Sequence, residues 1–210
     1  MILKVRDGLV YLWKMFLSLG KSSYEDAMIS NKEILLQAFG EIGTKEVPGE
    51  GDNADIVKYH AFATILNKIG MADSVPWCAA FMCWLLESLG LKSTNSRMAR
   101  SFERLGKVIP IEDFLPGDLI VMFRNGIESG QGHVAVGLKI DRNNFGNKGW
   151  LLGGNQNDAV NIKKFALTNM TAIVRVSDKL EYSNEEKQEL RNIANKMISN
   201  QETGMITSVV

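Results

Sequence analysis

The sequence predicts an α+β fold with helices first and a small antiparallel sheet second. Three observations carry this: apolar residues recur at helical spacing through residues 31–90, short β-branched runs bounded by glycine and asparagine fill residues 119–176, and turn formers separate the two regimes. At 210 residues with 45% hydrophobic and 23% charged side chains, the chain is long enough for one domain with a full core. Twenty-four basic residues balance twenty-four acidic ones. A net charge of zero argues against a broad electropositive field for nucleic acid, so no nucleic-acid partner is expected.

Residues 8–19 form the first apolar helix candidate. Lys14 interrupts the run, Asp7 precedes it and no small-x-small site follows, so it does not read as a signal peptide. It is too short for an ordinary membrane span. An amphipathic helix packed on the domain or on a partner is the expectation. A second helix starts at Ser30 or Asn31, with Ile34, Leu35, Ala38, Phe39 and Ile42 on its apolar side and Gly43 ending it. After a loop of turn formers, a third runs over about 54–69, carrying Ile56, Tyr59, Ala63, Leu66 and Ile69. A fourth begins around Pro76 and ends at Gly90. It is apolar nearly all round and is therefore expected to be central. Ala99, Phe102 and Leu105 suggest a short helix before the period changes.

Pro116-Gly117-Asp118 is a turn into a strand over 119–123. Further strands are expected at 133–140, 150–152, 159–165 and 172–176 in an antiparallel sheet. Ser183 and Glu186 have capping-box spacing, opening a last helix to about Met197, followed by a weakly anchored tail. The organisation read from this is an N-terminal helical extension (1–30), a central domain (31–177) and a C-terminal helix and tail (178–210).

Only two cysteines and two histidines occur. Cys78, in Val75-Pro76-Trp77-Cys78-Ala79-Ala80-Phe81, falls at a helix start, where free backbone N–H groups and the helix dipole favour a thiolate. The competing reading is a small buried hydrophobe. Cys83 lies deeper in the same helix and reads as core; five residues apart, the two are expected as free thiols. His133 begins a strand after Gly130-Gln131-Gly132, where its ring can face a helix terminus and take a thiol proton. His60 is the rival, expected on a solvated helix face. Asn155, after Gly153-Gly154, can accept from an imidazole N–H; Gln156 and Asp158 are alternatives, and an asparagine there also suits a turn. No zinc, phosphate-loop or calcium-loop pattern occurs, so neither metal nor cofactor is expected.

Taken together, Pro76-Trp77-Cys78-Ala79-Ala80-Phe81, Pro116-Gly117-Asp118, Gly132-His133 and Gly153-Gly154-Asn155-Gln156 resemble the bacterial and phage cell-wall hydrolases of the CHAP and NlpC/P60 superfamily. Glu41-Ile42-Gly43-Thr44-Lys45-Glu46 and residues 53–59 extend the likeness to roughly residues 35–165. The resemblance implies a papain-like fold and hydrolysis of a peptidoglycan amide through an acyl-enzyme. Cys78 would be the nucleophile, His133 the base and then the acid, and Asn155 the orienting residue. Tyr59, Trp77 and Gln156 would fall at the cleft or oxyanion hole. Val134-Ala135-Val136 lacks the glycine many relatives carry two places after the histidine, and Asn53-Ala54 replaces asparagine-proline. The implied partners are peptidoglycan and, for the terminal extensions, an inhibitor or secretion partner. Synthesis in a bacterial cytoplasm and action in the periplasm or wall, as a phage lysin or secreted effector, is the matching expectation.

Overall fold

Helices precede a sheet, and a last helix closes the chain, in the computed structural model, which describes residues 28–63, 71–142, 144 and 146–204. The first described helix, α1 (Asn31–Phe39), opens with a full capping box: Ser30 Oγ accepts from the Lys32 N–H, and the Glu33 carboxylate accepts from the Ser30 N–H at 2.9 Å. Helix α2 (Ala54–Phe62) is capped by Asn53, whose side chain accepts from the Asp55 and Ile56 N–H groups. Residues 64–70, the end of the sequence-predicted helix, lie outside the described residues, as do the 8–19 candidate and residues 205–210. Helix α3 (Cys78–Ser88) buries every residue from Cys78 to Leu86. Its apolar circumference has that consequence: no side of it can face water without exposing large side chains. A 3₁₀ segment (Ala99–Arg104) follows.

Among the described residues six strands form one antiparallel sheet: β1 (Lys107–Val108), β2 (Leu119–Phe123), β3 (Gly132–Asp141), β4 (Lys148–Gly153), β5 (Asn161–Ala166) and β6 (Met170–Arg175), in the order β1-β6-β2-β3-β4-β5. The two-residue edge strand β1 is exposed throughout and carries no sequence signal. Alternation splits the side chains cleanly. Leu119, Val121, Val134, Val136, Leu138 and Leu152 join all the helices in the larger core, while Ile120, Met122, Ala135, Leu151 and Ile173 form a smaller cluster on the opposite face.

The final helix, α4 (Asn184–Thr203), starts at the Ser183–Glu186 capping box and runs past the expected end at Met197. Leu190, Ala194, Met197 and Ile198 are buried, and the helix packs on α1, β3 and β5. No helix among the described residues is long and apolar enough to cross a membrane.

Candidate active site

Cys78 is the first residue of α3, preceded by Trp77 at the cap. The local cause is steric. Trp77 is fully buried, its indole N–H donates to Glu46 at 2.8 Å, and its ring fills the space beside Gly154. With the indole anchored there, the chain turns into the helix at Cys78, and the thiol lies against the backbone N–H groups of Ala79, of Cys78 itself and of Val134, the residue that follows His133. Strand β4 has ended at Gly153, so the end of β3 has no strand neighbour on that side and the start of α3 packs there instead. Cys83 is fully buried, with its sulfur near Thr94 and Ser96, and both thiols are free.

His133 pairs with Met122 across β2 and β3 and is buried. Its Nε2 lies 3.0 Å from Gln156 Oε1. The Gln156 amide nitrogen donates to the Asn161 carbonyl at 2.7 Å and to Asn161 Oδ1 at 3.1 Å, with a longer approach to the Leu151 carbonyl. Three acceptors around that nitrogen fix which end of the amide faces the ring. An oxygen facing Nε2 requires Nε2 to carry the proton, an assignment made from the network. The neutral imidazole therefore keeps its lone pair on Nδ1, and Nδ1 is buried without a hydrogen-bond partner among the described residues. Such an orphaned acceptor costs about 1–3 kcal/mol.

Burial first, then the positive charges of Arg124 and Lys163, push the His133 imidazole down to about 4 against the lift from Gln156. Burial pushes the Cys78 thiol up, against the lowering effects of the Val134 N–H, Arg124 and the helix-start N–H groups. At neutral pH the two groups are thus a neutral thiol and a neutral imidazole. Because unfolded His133 titrates near 6.5 and takes up protons that the folded ring refuses, its contribution to stability is complete above pH 6.5 and is lost as pH falls from 6.5 towards 4. At pH 5 the loss is about 2 kcal/mol. His60, lowered chiefly by its own burial, adds with the same sign. Urea unfolding of wild type and His133→Gln at pH 7.5 and 5 measures this. An equal drop in both proteins would remove His133 as its source.

The side chain that holds the imidazole is Gln156, one residue beyond the expected Asn155. Asn155, half-buried, sits at φ 55°, with Asn157 and Asp158 also left-handed, so it shapes the turn that brings Gln156 back to the ring. Two further expectations are corrected. Tyr59 and Trp77 do not wall an open cleft: Tyr59 is 1% exposed, packs against Trp77, Phe81 and Trp84, and its hydroxyl donates to Glu41. His60 is not solvated but fully buried, because α2 is covered by α3 and lies near the backbone of Ala72 and Val75. Arg124 and Phe165 were missed. Phe165 lies beside His133, its ring tilted by 30° at 5.5 Å between centroids. A cavity of about 490 Å³ opens beside the imidazole, lined by Met122, Arg124, His133, Phe165, Thr168 and Asn169 among others. Among the described residues, no group of three or more His, Cys, Asp or Glu side chains could hold a metal.

The Gly153-Gly154 pair is explained by close approach. A Cβ on Gly154 would lie 2.4 Å from Trp77 Cζ3 and 2.9 Å from Phe81 Cβ. Gly154→Ala must displace the indole that sets the start of α3, at a cost of roughly 1–3 kcal/mol. We expect a melting temperature lower by roughly 2–12 °C for a chain of this size, measured by circular dichroism. An unchanged melting temperature would show that the helix start yields freely.

Comparison of the chain with family models, curated proteins and solved structures gives no match.

Proposed function

We propose that this chain is a cysteine hydrolase that cleaves an amide of bacterial peptidoglycan, either between N-acetylmuramic acid and L-alanine or within the stem peptide or its cross-bridge. The observation that carries the chemistry is the unpartnered, buried Nδ1 of an imidazole whose other nitrogen is committed as a donor, on a strand end against which the Cys78 thiol packs. A fixed tautomer with its lone pair held free is what a general base requires. The choice of substrate rests on the spaced resemblance to CHAP and NlpC/P60 hydrolases.

The steps follow from the groups present. Cys78 Sγ attacks the amide carbonyl carbon while its proton passes to His133 Nδ1, so the nucleophile forms from a neutral pair rather than a standing ion pair. The Cys78 N–H at the helix start donates to the developing oxyanion. The C–N bond breaks as the imidazolium returns its proton to the departing amine. Water, losing a proton to Nδ1, then hydrolyses the thioester, and the proton passes back to sulfur as the acid is released. Gln156 holds the ring throughout and supports its positive charge through Oε1.

The partner is peptidoglycan, and the site of action is the periplasm or wall, reached by cell lysis or export. The terminal segments suit contact with an inhibitor or secretion partner. A second reading, a wall-binding protein without activity, draws support from the burial of both reacting groups. Digestion of purified sacculi under reducing conditions, read by mass spectrometry, separates them. New amine and carboxyl termini identify the scissile bond. Sacculus binding with no muropeptide released at any pH from 5 to 9 would leave the second reading, and cleavage confined to other amides would move the enzyme away from the wall.

A further inference from the structure

The cavity beside His133 is lined by apolar side chains and by one cation that is unpaired among the described residues. Met122, Phe165 and Ala166 supply apolar lining, and Thr168 and Asn169 polar lining. Arg124, the residue after the end of β2, is exposed, and its guanidinium has no hydrogen-bond or ion-pair partner among the described residues. Its backbone is held: the N–H donates to the Gln131 carbonyl at 2.9 Å, and its carbonyl accepts from Ser129. Arg124 lines the same cavity as His133, and its positive charge lowers the pKa of both His133 and Cys78. The second charge acting on the imidazole, Lys163, is also positive; its ammonium donates to Asn157 at 2.7 Å and lies 5.8 Å from the Phe165 ring centre.

An uncompensated cation beside a base is counterproductive in the empty site, because it opposes the imidazolium that must form. It becomes useful when a ligand neutralises it. We propose that Arg124 is a specificity-determining residue of this site, reading a free carboxylate on the peptide close to the scissile amide, with the chain around that carboxylate lying over Met122 and Phe165. This rests on the hydrolase reading above and names its substrate class: acidic stem peptides in preference to those whose carboxylates are amidated. The planar guanidinium can take such a group through two parallel N–H bonds. Once paired, the carboxylate offsets the positive field at His133, so the substrate that fits is also the one that lets the ring accept a proton.

The test uses matched muropeptides that differ only in carboxylate against carboxamide, offered to the full chain. Wild type is expected to favour the carboxylate form by roughly tenfold or more in kcat/KM, as for a partly exposed charge pair. Arg124→Gln should collapse that ratio towards one, Arg124→Lys should keep part of it, and Arg124→Glu should reverse it. A ratio unchanged in Arg124→Gln, or near one in wild type, overturns the proposal. Calorimetric binding of the same pair to Cys78→Ala keeps this separate from the hydrolase reading. A carboxylate preference in binding that is lost with Arg124→Gln sustains the subsite even where no cleavage occurs. Phosphate-bearing wall polymer added as competitor distinguishes a carboxylate reader from a general anion site; displacement by phosphate as effective as by the muropeptide counts against the proposal.

Discussion

Cys78→Ala is expected to fold as the wild type does and to release muropeptides from sacculi more slowly by a factor on the order of 10⁴–10⁶. The fold should survive because alanine is well tolerated in a first helical turn, and because the indole of Trp77, not the sulfur, sets the start of α3. The chemistry should not survive, since the other thiol, Cys83, is buried in the body of the helix, beside Thr94 and Ser96. His133→Ala should lose a comparable factor, and the double variant little more than either alone, because the two groups act on one proton. Cys83→Ala is the control for general effects of cysteine loss. Cleavage at the wild-type rate by folded Cys78→Ala would end the thiol mechanism, and losses that multiply in the double variant would mean that sulfur and imidazole serve separate steps.

The architecture was legible because its signals are local. The α+β order, the Ser30 start of α1, the Ser183–Glu186 start of α4 and the five longer strands each follow from a cap, a period or a turn within a few residues. The central place of α3 followed from the apolar character of its whole circumference. The extension of α4 to Thr203 had no such signal, since its last turns are polar. Strand β1, two exposed residues paired to β6, has no periodicity to read.

At the site, position was legible and pairing was not. A cysteine at a helix start and a histidine at a strand start can be placed from turn chemistry alone. Which of Asn155 and Gln156 meets the ring depends on three left-handed residues in one loop and on acceptors from Leu151 and Asn161 that capture the Gln156 nitrogen. The usual turn-forming role of asparagine was the correct pointer. His60 misled for a related reason: helical spacing describes one buried stripe, and α2 is covered on a second side as well. Arg124 follows a strand end with no motif, and only the cavity beside His133 marks it.

Asp118→Ala should cost about 3–5 kcal/mol of stability and leave the chemistry of the remaining folded protein largely intact. Asp118 belongs to the Pro116-Gly117-Asp118 turn of the cell-wall hydrolase resemblance, yet its partners are structural. Its carboxylate is fully buried and accepts from Arg175 Nε and Nη2 at 2.8 Å each, from Asn31 Nδ2 at 3.0 Å and from the Leu115 N–H at 2.8 Å. Arg175, 6% exposed, also donates to the carbonyls of Asp113 and Leu180. Asn31 in turn takes a hydrogen bond from Ser177 and donates its backbone N–H to Tyr182. One carboxylate thus ties the start of α1, the entry to β2 and the end of β6 together. The preceding Gly117 is bound to the same arrangement, for a Cβ there would lie 2.6 Å from Asn31 Cβ at a φ of +98°. Removing the carboxylate leaves a guanidinium buried without its counter-charge, and that penalty, rather than the lost attraction, sets the size of the effect. For a chain of this length the melting temperature should fall by roughly 6–20 °C. Replacing both members, as in Asp118→Leu with Arg175→Met, should recover a large part of the loss because no charge is then stranded. Recovery absent in the double variant would mean that the turn needs the carboxylate for its own shape. A kcat that collapses in Asp118→Ala while the protein stays fully folded would instead place this turn in the reaction.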